Sequence, residues 1–321
     1  MNTQYFRGYD WSPDFVAVMF ADNLAFCLKI RVNWQKNSPI KNNGTHNIKA
    51  FYIVHFWFRR VVKMVHYSLP IGMRYSTLEE RKEFYREEFD LKKVADWLRN
   101  WKGKVKFAVI MGRHTGIFLE KYTSDASTTI IIDEYTNLKD VKKQIIEFLP
   151  EAVYYDRNVY DADGKKVGQE LAFDLDPENI TCPIHGTLAD KMKRQQGMSF
   201  CELELEMVKQ EAVALYEYLS KNFSEVRVVY SGRGFHLHVL DPKTYYLRGE
   251  ERLDFARQVK GAGFHIDEWV TSGEMRLIRL PYSLNGLVSR IALPLGKDEL
   301  GSFDPVHDKR CLPKFLGKVT F

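Results

Sequence analysis

The sequence has little cysteine and no long apolar run. Four cysteines in 321 residues (Cys27, Cys182, Cys201 and Cys311) lie far apart. That spacing excludes a disulfide framework and points to a reducing compartment. No apolar stretch reaches the roughly 18–20 residues a membrane span needs, so no membrane partner is expected. Asp10 and Asp14 interrupt the N-terminus before any apolar core of a signal peptide could form. The expected location is the cytoplasm, at the nucleoid if the source is prokaryotic. Internal repeats and low-complexity tracts are also missing, which excludes solenoid and fibrous architectures.

Glutamate is absent from residues 1–72, which carry nine Lys/Arg against three Asp, a charge of +6. The remaining residues hold 38 basic and 39 acidic side chains, a charge of −1, so the overall +5 belongs to the N-terminal segment. The main body therefore has no global positive field. Nucleic-acid binding there must use a local groove.

What is present changes character at Met73. Residues 1–72 contain 14 aromatics, including the run FYIVHFWFRRVV, with neither period 2 nor period 3.6. After Met73 the local signals agree with one another, as a foldable sequence requires. We expect Met73 to be the true start, with 1–72 an atypical extension and 73–321 the main domain. The alternative is a divergent, strand-rich N-terminal domain.

Within 73–321, STLEERKEFYREEF opens with a capping box, Ser76 to Glu79, ahead of a helix over 77–89. Asp90 caps a second helix over 91–101. Strands are expected at 106–112, 128–133 and 152–160, with a helix from Asn137 to Phe148 before Pro150. A long amphipathic helix follows over 201–222, then two strands around a glycine turn at 226–241. A helix near 250–260, a strand FHID at 264–267 and strands at 275–281 and 291–295 complete the chain. Helices and hairpins mix without regular alternation, which predicts an α+β fold with a largely antiparallel sheet.

Four groups of residues carry chemistry. In QELAFDLDPENI, Asp174 and Asp176 share one strand face while Leu171, Phe173 and Leu175 share the other. Two carboxylates on an apolar strand need a compensating group. Hard oxygen ligands suit Mg²⁺ or Mn²⁺, although a solvated edge strand shows the same DxD. In YSGRGFHLH, Gly232 and Gly234 allow close backbone approach, and Arg233 offers a fork matched to phosphate. Alone this is only a turn. The pair His236 and His238 on one strand face hints at a metal or a phosphodiesterase. Asp267, a simple cap by itself, becomes a third carboxylate for the pair. Cys182, His185 and Cys201 have the types and spacing of part of a structural zinc site, which normally needs four ligands. An Asp, a Glu or a distant His would serve as the fourth; two free cysteines and a surface His are the plain alternative.

Taken in order, ELAFDLD, CPIH with FCELE, VVYSGRGFHLHVLD, FHID and IRLPYSLNG resemble the small catalytic subunit of archaeal and eukaryotic DNA primase. STLEERKEFYREEF resembles that family's N-terminal helix, and the resemblance runs over about residues 76–296. It implies the archaeo-eukaryotic primase fold: an N-terminal α/β unit, an RRM-like antiparallel unit, and an active site between them. It implies that 73–321 is a primase catalytic core, with Asp174, Asp176 and Asp267 holding two divalent cations. Ser231, Arg233 and His236 would hold the nucleotide phosphates, and Cys182, His185 and Cys201 structural zinc. Partners would be a single-stranded DNA template, NTP or dNTP, and a large primase subunit.

The sequence departs from the family pattern in three places. Asn285 and Leu287 stand where the family usually has His and Lys. Asn285 retains a hydrogen-bonding amide and is kept as a nucleotide-binding residue; Arg290 is the expected substitute for the lysine. Met198 or Ser199 stands where the zinc set would have another cysteine. Only about 25 residues separate HVLD from FHID, as in a trimmed core. The leading reading is a nucleotidyltransferase that makes RNA or DNA primers by a two-metal mechanism. The alternatives are a primase-polymerase or end-joining repair polymerase extending existing ends, and a non-catalytic nucleic-acid-binding subunit. A DxD glycosyltransferase leaves SGRGFH and Asp267 without a role.

Overall fold

The computed structural model describes residues 14–21, 24–31, 68–99, 104–161, 163–194 and 196–318. The chain divides into two compact units, Met1–Met64 and Val65–Phe321. In the first, β1 (Asp14–Ala21) and β2 (Leu24–Arg31) form an antiparallel hairpin. The expectation of an atypical extension otherwise falls outside the described residues.

The second unit is built on two four-stranded antiparallel sheets. One has the order β11-β5-β3-β4, from β3 (Phe107–Ile110), β4 (Thr129–Ile132), β5 (Ala152–Asp156) and β11 (Leu277–Arg279). A small hairpin of β6 (Asn158–Tyr160) and β7 (Lys166–Gln169) leads from it into β8 (Leu171–Leu175). The other sheet has the order β14-β9-β10-β8, with β9 (Val226–Tyr230), β10 (Phe235–Val239) and β14 (Leu293–Leu295). A two-residue ladder, β12 (Leu284–Asn285) with β13 (Arg290–Ile291), precedes β14. The fold is α+β, as the mixed pattern of the sequence requires.

Strand alternation sorts the side chains of the second sheet. Leu171, Phe173, Leu175, Phe235, Leu237 and Val239 point into one core. Helix Glu202–Ser220 covers them with Leu205, Val208, Ala212, Leu215 and Leu219, a repeat of three and four residues that keeps one stripe on the sheet. Burying each large aliphatic side chain contributes roughly 1.5–3 kcal/mol. The opposite face carries Ala172 and Val229, which pack with Phe107, Val109, Val153 and Tyr155 of the first sheet and with Val94, Trp97, Val141 and Ile145 of its helices. Small residues at that contact bring the two sheets together along the face that bears Asp174.

A buried polar knot lies behind this contact. His238 meets the carboxylate of Glu170, and the Tyr155 hydroxyl donates to Glu170 Oε2 at 3.0 Å. All three residues are buried. His238 is thus held inside the protein, so the two-histidine motif divides into one structural and one cleft residue.

Three local expectations shift. The capping box is Thr77 with Glu80, one residue later than expected; Ser76 is buried and accepts from Arg81 Nε at 3.0 Å. The first helix runs Leu78–Glu83 and passes into a π-helical turn, Phe84–Glu88. Residues 264–267 form no strand: the Asp267 side chain accepts from Trp269 N at 2.9 Å and caps helix Glu268–Ser272. A short polar side chain at such a position competes with strand pairing. Among the described residues no helix is long and apolar enough to cross a membrane.

Candidate active site and metal centre

Antiparallel pairing of β8 with β10 sets Asp174 opposite His236, with His236 Nε2 3.3 Å from Asp174 Oδ1. The geometry of that approach is not that of a hydrogen bond. Asp174 Oδ1 and His236 Nδ1 are both buried without a hydrogen-bond partner among the described residues. Asp176 follows the end of β8. Asp267 reaches the pair through its backbone: its N–H donates to the Asp174 carbonyl at 2.9 Å.

The carboxylates feel one another. Burial, then the charges of Asp174 and Glu178, push the Asp176 carboxyl well above its ordinary range, against the pull of Arg233 and Arg279. Burial and then Asp174 likewise raise Asp267. Among the described residues the three do not close into one tight ligand group, unlike the thiol cluster described below. They are neighbours along one edge of the cleft. The unpartnered Asp174 oxygen and the two raised carboxyls fit a hard divalent cation, which would replace the missing donors and relieve the repulsion.

The 231–234 turn joins β9 to β10. Ser231 Oγ accepts from Gly234 N at 3.1 Å. Gly232 has φ +102°, a conformation that favours glycine. A Cβ on Gly234 would lie 2.0 Å from the Leu175 carbonyl oxygen and 2.7 Å from Asp176 Oδ1. Arg233 pairs with Glu178 at 3.0 Å, donates to the Met198 carbonyl at 3.1 Å, and lies over the Phe200 ring. Asn285 donates from Nδ2 to the Ser231 carbonyl at 3.1 Å and accepts from Leu287 N at 3.2 Å. Its amide therefore braces the turn from behind.

These groups line a single cavity of about 140 Å³ between the two sheets. Asp174, Asp176, Ser231, Arg233, His236 and Asn285 all reach it. Asp267 lies at its margin, bonded to Asp174 through the backbone. Leu287 contributes an apolar wall. Arg290 does not take the place of the family's lysine. It is 1% exposed and donates to the carbonyls of Pro305, Gly72, Val288 and Ser289. A guanidinium that satisfies so many carbonyls is a structural clamp.

Arg279, on β11, is the cleft residue that reasoning from sequence missed. It lies over the Tyr154 ring at 4.8 Å, and its Nη1 is buried without a hydrogen-bond partner among the described residues. The signal was a cation in the middle of LIRLP, where an apolar strand has no reason to carry one.

A second cluster lies where the sequence placed Cys182, His185 and Cys201. Cys182 Sγ is 3.5 Å from His185 Nδ1 and 4.0 Å from Cys201 Sγ. The fourth member is Glu204, with Oε2 3.7 Å from His185 Nδ1; the four ligand atoms lie within 4.8 Å of one another. Ser199 lies outside the group, its Oγ accepting from Ser68 N, while Met198 lines the cleft. The buried ammonium of Lys191 holds Glu204 Oε1 at 2.8 Å. Burial and the Glu204 carboxylate raise the Cys201 thiol. Two thiolates on tetrahedral zinc stand about 3.8 Å apart for Zn–S bonds near 2.3 Å, so the sulfur spacing fits.

On an α+β scaffold, the carboxylate edge and the glycine–arginine turn lie side by side on one antiparallel sheet and the second sheet closes the cleft over them, as expected of the archaeo-eukaryotic primase fold. The chain belongs to the DNA primase small subunit-like family. It is 50% identical over 268 residues to an uncharacterized DNA primase small subunit-like protein of Archaeoglobus fulgidus, covering 78% of this chain and 94% of that protein. It is 27% identical over 216 residues to the DNA primase small subunit PriS of Pyrobaculum calidifontis, covering 52% of this chain. The match spans 66% of that subunit's length. Among solved structures, the polymerase domain of Mycobacterium tuberculosis ligase D in complex with DNA matches at 16% identity and a TM-score of 0.43, covering 79% of this chain and 94% of that one. No family model matches the sequence.

Proposed function

We propose that the chain is a DNA-templated nucleotidyltransferase that joins nucleotides into primers. One observation carries the reading: the buried, donorless oxygen of Asp174 shares a cavity with Asp176 and with the cations Arg233 and Arg279. Anions that repel one another beside the cations Arg233 and Arg279 suit a triphosphate brought in with divalent metal.

Asp174, Asp176 and Asp267 would hold Mg²⁺ or Mn²⁺, whose chemistry there is to activate the attacking hydroxyl and neutralise the leaving pyrophosphate. The protein's own residues do the rest. Arg233, tethered by Glu178 and Phe200, presents its fork to the phosphates in a fixed place. Arg279 offers its Nη1, unpartnered among the described residues, from the other sheet. Ser231 and His236 contribute short polar contacts at the turn. His236 stands opposite Asp174 in the strand register, so phosphate and carboxylate sites share one strand pair. Such a site works by positioning and charge neutralisation and needs no acid–base pair. Cys182, His185, Cys201 and Glu204 would form a closed structural zinc centre.

Within this reading, residues 73–321 form the catalytic core and 1–72 an atypical extension. Mass spectrometry of the native N-terminus checks that division, and peptides from residues 1–60 would refute it. The expected partners are single-stranded DNA, NTP or dNTP, and a large primase subunit.

The test is primer synthesis on single-stranded DNA with Mg²⁺ or Mn²⁺, comparing ribonucleotides with deoxyribonucleotides. Product without a pre-existing primer is the expected result. Incorporation only onto existing ends would favour a repair polymerase, a reading supported by the single α-helix, Gly249–Gly261, between β10 and Asp267. No incorporation in either arm would overturn both.

A further inference from the structure

Trp269 stands out on the surface. It is 48% exposed, two residues after Asp267, on the short helix that Asp267 caps. Its carbonyl accepts from Met275 N at 3.0 Å, which brings Met275, 44% exposed, beside it. Val270, the residue after Trp269, and Leu277, two after Met275, line the cleft. Trp269 and Met275 therefore sit on the cleft rim, at the Asp267 end.

The same rim carries cations, beside the carboxylates of Glu268 and Glu274. Arg276 is half-exposed and pairs with the buried Asp156 at 3.5 Å. Lys166, exposed on the β6–β7 hairpin, is held below its ordinary range by partial burial and then by Arg252, while Asp156 opposes the shift and Arg157 and Arg276 add to it. Arg252, Arg157 and Arg276 thus all act on Lys166, the first two from buried positions. The Gln169 side chain donates to the Gly273 carbonyl at 3.0 Å, tying the hairpin to the turn that carries Met275 and Arg276.

We propose that Trp269 is a stacking platform for a base of single-stranded DNA entering the cleft, with Met275 extending its apolar surface and Lys166 and Arg276 holding the backbone phosphates. This rests on the nucleotidyltransferase reading of the cleft. A strand that approaches three aspartates is repelled by them. Cations on the rim offset that repulsion, and stacking adds a grip that does not depend on charge. An exposed indole beside cations is the arrangement used for unpaired bases, because every base offers a π face. A protein partner would also cover an exposed tryptophan, but it gives the adjoining cations no common anion.

The test measures binding of a fluorescent oligodeoxythymidylate by anisotropy, with the full-length chain, from low to high salt and without divalent metal. Trp269→Ala should weaken binding about tenfold at every salt concentration, leaving the slope of log K against log salt unchanged. Trp269→Phe should recover most of the affinity. Lys166→Ala should instead flatten the slope by about 0.7, the loss of one phosphate contact. Wild-type affinity in Trp269→Ala would overturn the proposal and leave the indole to a protein partner. A Trp269→Phe variant as weak as Trp269→Ala would overturn it too. Thermal unfolding of each variant identifies any loss of fold, and Met275→Ala, on the same surface, then gives an independent reading. Primer synthesis by the wild type separately tests the underlying function, since DNA binding here needs no turnover.

Discussion

The carboxylate edge of the cleft and the thiol cluster lie a few residues apart in sequence, and they are built in opposite ways. In the cluster every ligand is anchored before any metal arrives. Glu204 is held by Lys191, Cys201 accepts from the backbone of Glu204, and Cys182 contacts both His185 and Cys201. At the edge, Asp174 has an oxygen with no donor, and Asp176 and Asp267 are pushed towards their protonated forms. A closed, satisfied ligand set suits a metal that stays, whereas an open, strained one suits cations that come and go with substrate.

The sharpest test of that difference is Asp174→Ala. Nucleotide incorporation should fall about a thousandfold or more while the unfolding temperature holds, because catalysis and not packing depends on this group. Primer extension near the wild-type rate would refute the assignment. Glu204→Ala should do the reverse and act through stability. It strands the buried Lys191 charge, at a cost of roughly 3–5 kcal/mol in denaturant unfolding. Elemental analysis of the wild type should find about one zinc per chain, and less than half of that would remove the claim. Arg233→Ala should raise the nucleotide KM about tenfold, by removing a charge-assisted pair, with a smaller effect on kcat. An unchanged KM would make Arg233 a turn residue.

The smallest effect is the most diagnostic of strain. The folded state raises the Asp176 carboxyl above its unfolded value, so it binds more protons than the unfolded chain, and stability falls as pH rises. Asp176→Asn should therefore raise the unfolding temperature in metal-free buffer at pH 7. The gain should shrink as pH falls back towards the ordinary carboxylate range near 3.9. Equal gains at both pH values would mean that repulsion is not the cause.

Much of this site was legible in the sequence because its signals are local. Strand alternation alone set Asp174 and Asp176 on one face, and Gly232 and Gly234 marked the turn. Asn137 capped its helix as expected, and Cys201 began the long one. What could not be read depended on long-range packing. Glu204 looks like any first-turn glutamate until the loop from Cys182 folds onto it. Arg290 has the right charge to replace a lysine, yet carbonyls of Gly72 and Pro305 absorb it. FHID forms no strand, and Asp267 keeps the role of a cap while its backbone N–H bonds to Asp174.

The tight approach of Gly234 to Leu175 and Asp176 also bears on how this protein can change. Any side chain at 234 must displace the very strand end that carries the second aspartate. The phosphate turn and the carboxylate edge are therefore not separable modules. A lineage that lost the glycine would lose the geometry of both at one stroke. A designer who wished to retune nucleotide choice would have to work from the Arg279 side, which belongs to the other sheet.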